Sequence, residues 1–252
     1  MPDSAMTKPA IIRFDPNARL EAWPDYPESE IASGTRASNG HFWLEDKVRR
    51  LSAGIWEAEA NLGRWVRWPV HEFMIVVAGE VVVVEEDRET VVGAGESFFI
   101  PKGRRCIWNQ SGYAKKFMVM FDDAARRSAD GTQPIFKIDP QVTLAPSTPP
   151  TADMLHSPVP TQHAHEYFAD ATGQFTAGVW QTTGYHRQLI EFPRHELMHL
   201  LEGSVTFTDD QGGSQTFKAG DTFFVPLGTP NAWKSEGTLR KIYCIFEPRS
   251  AG

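Results

Sequence analysis

The chain has 252 residues, a formal net charge of −7 and a pI near 5.6. It is long enough for one large core or two small ones, and its acidic balance lacks the basic patch that a phosphate backbone demands, so nucleic acid is not an expected partner. No apolar run approaches the roughly 20 residues that cross a bilayer, and Met1–Met6 has neither a charged n-region nor an apolar h-region, so the expectation is a cytoplasmic protein with no membrane partner. Cys106 and Cys244 are widely spaced and read as two reduced thiols in that compartment.

In chain order, an irregular, turn-rich leader with Trp23-Pro24 and Pro27 precedes the first strand signal, Ala53-Gly54-Ile55-Trp56. Next comes His71-Glu72-Phe73-Met74-Ile75-Val76-Val77-Ala78-Gly79, an apolar run opened by a carboxylate and closed by a glycine. The β-branched stretch Gly79–Glu85, the polar turn Glu86–Glu89 and Thr90-Val91-Val92 read as a hairpin. Gly95 to Gly103 carries two aromatics and then Pro101, which ends a strand before a glycine turn. Lys116 to Phe121 supplies a closing strand. Helical periodicity is weak throughout; Asp122 to Ser128 is the one modest helix candidate.

The same series then recurs. Phe14-Asp15-Pro16 returns as Ile138-Asp139-Pro140, Ala53–Trp56 as Ala177–Trp180, Glu72 as Glu196 and Gly79 as Gly203, each 124 positions on. After one extra residue the offset is 125, carrying Pro101 to Pro226, Trp108 to Trp233, Lys116 to Lys241 and Phe121 to Phe246. The second hairpin is Ser204–Thr208 with Ser214–Phe217 across a glycine-containing loop. A register held over so much of the chain marks a tandem duplication. The boundary falls in the polar stretch Arg126 to Thr132, giving domains 1–126 and 127–252, the second with its own proline-rich leader at Ala145–Pro150. Short strands at regular spacing make each repeat a small all-β barrel or jelly roll. Leaders of this kind often wrap a neighbouring repeat or subunit.

Glu-x6-Gly followed by Gly-x5-Pro-x-Gly, present as Glu72…Gly79 with Gly95…Pro101…Gly103 and as Glu196…Gly203 with Gly220…Pro226…Gly228, resembles the two-part signature of cupins. The Gly-Ile/Val-Trp before it and the Trp and Lys after it resemble the ureidoglycine aminohydrolase branch, which includes cupins of ethanolamine-utilisation operons. The resemblance covers Ala53–Phe121 and Ala177–Phe246 and implies an all-β bicupin of two tandem jelly-roll barrels. It also implies a small polar ligand, hydrolase- or isomerase-like chemistry, and a homodimer unless the duplication itself makes a pseudo-dimer.

The resemblance further implies where a metal would sit, and those slots are poor in donors. Before each glutamate they hold Val66 and Trp68, or Ile190 and Phe192; after the Pro-x-Gly turn they hold Cys106 or Asn231. One glutamate with a thiol or an amide is too few ligands for zinc, manganese or iron, so no cofactor is expected. A divalent metal would need a non-standard site drawn from His41, His163, His165, His195 or His199.

With strand alternation, Arg64, Val66, Trp68, Glu72, Met74 and Val76 point into the first barrel, and Gln188, Ile190, Phe192, Glu196, Met198 and Leu200 into the second. Cys106 with Trp108, and Asn231 with Trp233, line the facing strands. The candidate ligand pockets are therefore Arg64, Trp68, Met74, Cys106 and Trp108, and Gln188, Phe192, Met198, Asn231 and Trp233, with Glu196 and Glu72 as candidate catalytic residues. Burial against aromatics would raise each glutamate's pKa and suit it to acid/base work. The competing reading is structural: each glutamate bonds an internal arginine, lysine or tryptophan N–H, with Arg64, Lys116 and Lys241 available. Cys106, flanked by Arg104 and Arg105, is a nucleophile only if they activate it, and otherwise a small hydrophobe. Enzyme and non-catalytic binding or sensing module both remain open.

Overall fold

The computed structural model describes residues 8–123 and 133–249. Apart from one 3-10 turn at Ala152–Met154, the regular structure of the described residues is all strand. Asp122 and Asp123 belong to no helix, and the rest of that candidate, like the whole of the Arg126–Thr132 boundary stretch, lies outside the described residues.

The chain forms two compact units. One is Phe14–Ile138; the other joins Asp139–Gly252 to Met1–Arg13. The first unit contains a seven-stranded sheet in the order Phe136–Lys137, Ser97–Ile100, His71–Ala78, Ala114–Phe121, Leu51–Ala58, Asn39–Asp46, Glu21–Ala22. Its second sheet runs Glu89–Gly93, Glu80–Val84, Arg105–Gln110, Asn61–Gly63, Ile31–Gly34, with Val66–Arg67 also pairing Arg105–Gln110. The other unit repeats the plan. Its larger sheet runs Ile12–Arg13, Thr222–Val225, His195–Glu202, Leu239–Phe246, Phe175–Thr182, Gln162–Ala169, Ala145–Ser147, and its smaller sheet runs Tyr185–Glu191, Pro230–Ser235, Ser204–Thr208, Ser214–Lys218. Each unit thus includes a two-residue strand from beyond the repeat boundary read in the sequence. Phe136–Lys137 pairs Ser97–Ile100 in the first unit, and Ile12–Arg13 pairs Thr222–Val225 in the second. The leaders are also more regular than their composition suggests, each supplying an eight-residue strand, Asn39–Asp46 and Gln162–Ala169.

Both units are cupin jelly rolls, so the chain is an all-β bicupin. The predicted hairpins form in register, with Glu89 opposite Val84 and Ser214 opposite Thr208. The apolar side chains that alternate along these strands meet between the sheets: Met74, Val76, Val83 and Phe98 in the first core, Met198, Leu200, Phe207 and Phe223 in the second. The glycine closing each run is fixed twice over. Gly79 and Gly203 have φ of 75° and 78°, and an added Cβ would stand 2.0 Å from the Tyr113 carbonyl oxygen or 2.3 Å from that of Thr238.

Candidate ligand sites

On the strands His71–Ala78 and His195–Glu202, successive side chains face opposite ways. His71 and His195 turn toward the outer apolar layer, where each Nδ1 accepts a backbone N–H from the Pro-x-Gly turn: Lys102 at 3.1 Å and Leu227 at 3.2 Å. The glutamates turn into the barrels. Glu72 is 3% exposed and Glu196 1% exposed.

Each buried carboxylate is paired. The Lys116 ammonium donates to Glu72 Oε1 at 2.7 Å and Lys241 to Glu196 Oε1 at 2.7 Å. Each lysine reaches this position from the closing strand, which runs antiparallel to the glutamate's own. Each ammonium also lies against tryptophan rings, Lys116 at 4.6 Å from the Trp108 centroid and Lys241 at 4.6 Å from that of Trp180. The second oxygen is treated differently in the two barrels. Glu72 Oε2 accepts the Trp68 Nε1–H at 2.9 Å, whereas Glu196 Oε2 accepts Arg194 Nε–H at 3.1 Å. The glutamates are therefore not lone acids: each has the internal lysine, tryptophan or arginine partner that the structural reading foresaw.

The expected rise in pKa is reversed for Glu196. Burial pushes it up, but Lys241 and Arg194 outweigh burial and hold the carboxyl below its ordinary value. Lys241 is also held below its ordinary value, by burial first and then by repulsion from Arg194 and Arg187, against the pull of Glu196. The Cys106 thiol is pushed up to about 12, by burial first and then by Glu85, and Arg104 offsets little of this. Arg104 is itself ion-paired to Glu85. Cys106 is a fully buried core residue, not an activated nucleophile.

Each barrel encloses a cavity beside its pair, about 340 Å³ in the first and about 440 Å³ in the second. Arg64, Trp68, Trp108 and Glu72 line the first; Phe192, Met198, Trp233 and Glu196 line the second. Met74 and Cys106 do not line the first cavity: they lie deeper, in the apolar core, with Lys116 Nζ 3.1 Å from the Met74 sulfur. Asn231 is buried behind the second cavity and holds the Arg187 guanidinium through Oδ1 at 2.6 Å and through its carbonyl oxygen at 3.3 Å. Gln188 does not line the cavity; Tyr185 and Arg187 do. The strand register shifts between Arg187 and Ile190, so strict alternation assigns the wrong residue ahead of that irregularity and the right ones, Ile190 and Phe192, after it. Arg187 was thus missed, and Arg194 was missed although it is in phase with Ile190, Phe192 and Glu196; the repeat alignment signals both, since their counterparts are Gly63 and Val70.

The positions that hold a metal in many cupins do not fit one here. Glu72 and Glu196 have both oxygens engaged by N–H donors, and the slots around them carry the apolar side chains of Val66, Trp68, Ile190 and Phe192. Among the described residues no group of three or more His, Cys, Asp or Glu could hold a metal ion. His41, His163 and His165 lie on the leader strands, His41 and His165 edge-on to Trp43 and Tyr167, and His199 bonds Thr222 Oγ1 at 2.8 Å.

Two jelly rolls in tandem, each with a buried acid-and-lysine pair beside a cavity, define the chain as a bicupin. Residues 45–117 and 169–243 each match the EutQ-like cupin domain, and the chain belongs to that family. Among solved structures it is similar to a protein of unknown function of the DUF861 family from Pseudomonas syringae pv. tomato. The TM-score is 0.78 at 25% identity, with 94% of this chain and 100% of the other covered. A cupin 2 conserved barrel domain protein from Leptotrichia buccalis shares the fold at TM-score 0.58 and 11% identity, with 86% and 92% covered. Protein Ylba of E. coli, also DUF861, does so at TM-score 0.50 and 11% identity, with 91% and 89% covered. No curated protein matches the chain. No helix among the described residues is long and apolar enough to cross a membrane.

Proposed function

We propose that this bicupin binds a small polar metabolite in its second barrel, against the Lys241–Glu196 pair. The observation that carries the reading is the 440 Å³ cavity with that fully buried pair in its wall, a volume within the range of about 300–1,000 Å³ usual for ligand pockets. Trp180, Trp233 and Phe192 offer apolar walls, and Lys241, Arg187 and Arg194 offer a few directed donors. Glu196 acts as the positioning residue. Held ionised by two cations, it fixes the ammonium and is a weak proton acceptor, which sets aside the glutamate acid/base role in favour of binding.

A catalytic reading, hydrolase- or isomerase-like, is favoured by the place of Lys241, a buried ammonium in the cavity wall whose pKa burial holds below its ordinary value. An ammonium that releases its proton more readily than usual is the group that would serve as acid to a bound substrate. Both readings make Lys241 the contact. Ligand-observed NMR with a set of small amides, alcohols and carboxylates tests them on wild type and Lys241→Met. Binding that disappears in a variant that still melts cooperatively supports the site; binding indifferent to the substitution overturns it.

A further inference from the structure

The second cavity carries more positive charge than its own fold uses. Arg187, Arg194 and Lys241 line it against a single acid, Glu196. Lys241 and Arg194 share that acid, and Arg194 also approaches Glu247 at 3.8 Å. Arg187 has no such partner. It is 5% exposed, makes no ion pair among the described residues, and spends its hydrogen bonds on the neutral Asn231. Its Nη1 has no hydrogen-bond partner there, and neither has the buried hydroxyl of Ser147, which lines the same cavity.

A buried guanidinium without a counter-charge is destabilising, and a buried N–H without an acceptor adds to that cost. A structural role alone does not account for it. Tying Tyr185–Glu191 to Pro230–Ser235 needs no charge, and the first barrel closes the equivalent strands with Gly63 and Cys106 at the matching positions. Arg194 replaces Val70 in the same way. The duplication thus supplies its own control: the first cavity has arginines too, Arg64 and Arg67, but both are exposed, whereas Arg187 is buried in the wall of the second.

We infer that the second barrel is a receptor for a small carboxylate, whose carboxylate group is taken by the Arg187 and Arg194 guanidinia while its body lies against Trp180, Trp233 and Phe192. Planar guanidinium forks match a carboxylate, and the apolar aromatic walls suit an organic body, which inorganic phosphate lacks. The inference rests on the reading that the second cavity binds a ligand, and it specifies the ligand's class.

Calorimetric titration of the full chain with benzoate, benzamide and inorganic phosphate tests it, using wild type, Arg187→Gln, and Lys234→Gln as an exposed charge control. Benzoate is expected to bind about tenfold or more tighter than benzamide, to lose about that factor in Arg187→Gln, and to be unaffected by Lys234→Gln. Arg187→Gln is expected to melt no lower than wild type, because it removes an unpaired buried charge. Equal binding of benzoate and benzamide, both abolished by Lys241→Met, overturns the carboxylate class and leaves the ligand site standing. Phosphate binding as tightly as benzoate, benzoate affinity unchanged in a folded Arg187→Gln, or no binding by any of the three also overturns it. Should Arg187→Gln fail to fold, Arg194→Gln, whose side chain is half-buried, carries the same comparison.

Discussion

The two barrels keep the same buried pair and differ in what surrounds it. In the first, Trp68 completes the hydrogen bonding of Glu72; in the second, Phe192 has no N–H to give and Arg194 takes over for Glu196. That exchange replaces a neutral donor with a charged one. Together with Arg187 in place of Gly63, it puts a buried guanidinium in the second cavity, where the arginines of the first, Arg64 and Arg67, are exposed. The lesson is that the lysine–glutamate pair is common to both barrels, and that they differ in residues a few positions upstream of each glutamate.

The largest expected effect comes from breaking the pair. Lys116→Met leaves Glu72 buried with only the Trp68 N–H and is expected to cost about 3–5 kcal/mol in urea unfolding. Lys241→Met is expected to cost less, about 2–3 kcal/mol, because Arg194 still serves Glu196. Equal losses would mean that Arg194 contributes nothing to the second pair. Adding Glu72→Gln to Lys116→Met should recover a substantial part of the loss, since it removes the stranded charge.

Gly79→Ala and Gly203→Ala probe what the barrels share. Each is expected to cost at least about 1–3 kcal/mol from the positive φ, before the carbonyl clash is counted. A variant of either kind with wild-type stability would contradict the tight turn. Trp68→Phe copies the second barrel's residue into the first, and thermal melts should show a loss on the order of 1 kcal/mol for the missing hydrogen bond. Adding Val70→Arg should restore it; if it does not, the two donors are not interchangeable.

Acid pH probes the second pair more gently. Glu196 has a depressed folded pKa, so its stabilising contribution is complete above the unfolded value of about 4.3 and is lost as pH falls through the lower folded value. Glu196→Gln should therefore flatten the decline in urea midpoint below about pH 4.3, and an undiminished decline would show that Glu196 is not held ionised. Smallest of all is the thiol effect. Cys106 and Cys244 are buried with raised pKa values, so iodoacetamide should label neither in the folded protein and both in urea. Rapid labelling of folded Cys106 would revive it as a nucleophile.

Much of this was written in the residue pattern. The repeat, the hairpins and the Pro-x-Gly turns follow from local signals, because glycine, proline and β-branched side chains constrain the backbone wherever they occur. The inward direction of Glu72 and Glu196 follows from strand alternation, as does the opposite facing of His71 and His195. The pairing of each glutamate was legible only as a choice among partners. Lys116 stands 44 positions from Glu72, and only the register of the closing strand brings the two within 2.7 Å.

The sequence by itself determined the tandem all-β architecture, the buried carboxylates and the scarcity of metal donors around them, since all of these rest on local chemistry and spacing. Tertiary structure decided the rest. A register shift between Arg187 and Ile190 turned Arg187 inward in place of Gln188, and strand pairing supplied each carboxylate with its lysine. Long-range pairing also brought Ile12–Arg13 and Phe136–Lys137 into sheets on the far side of the repeat boundary. Such outcomes depend on backbone hydrogen bonds between distant segments, whose free energy is gained only on assembly and leaves no periodic trace in the residues themselves.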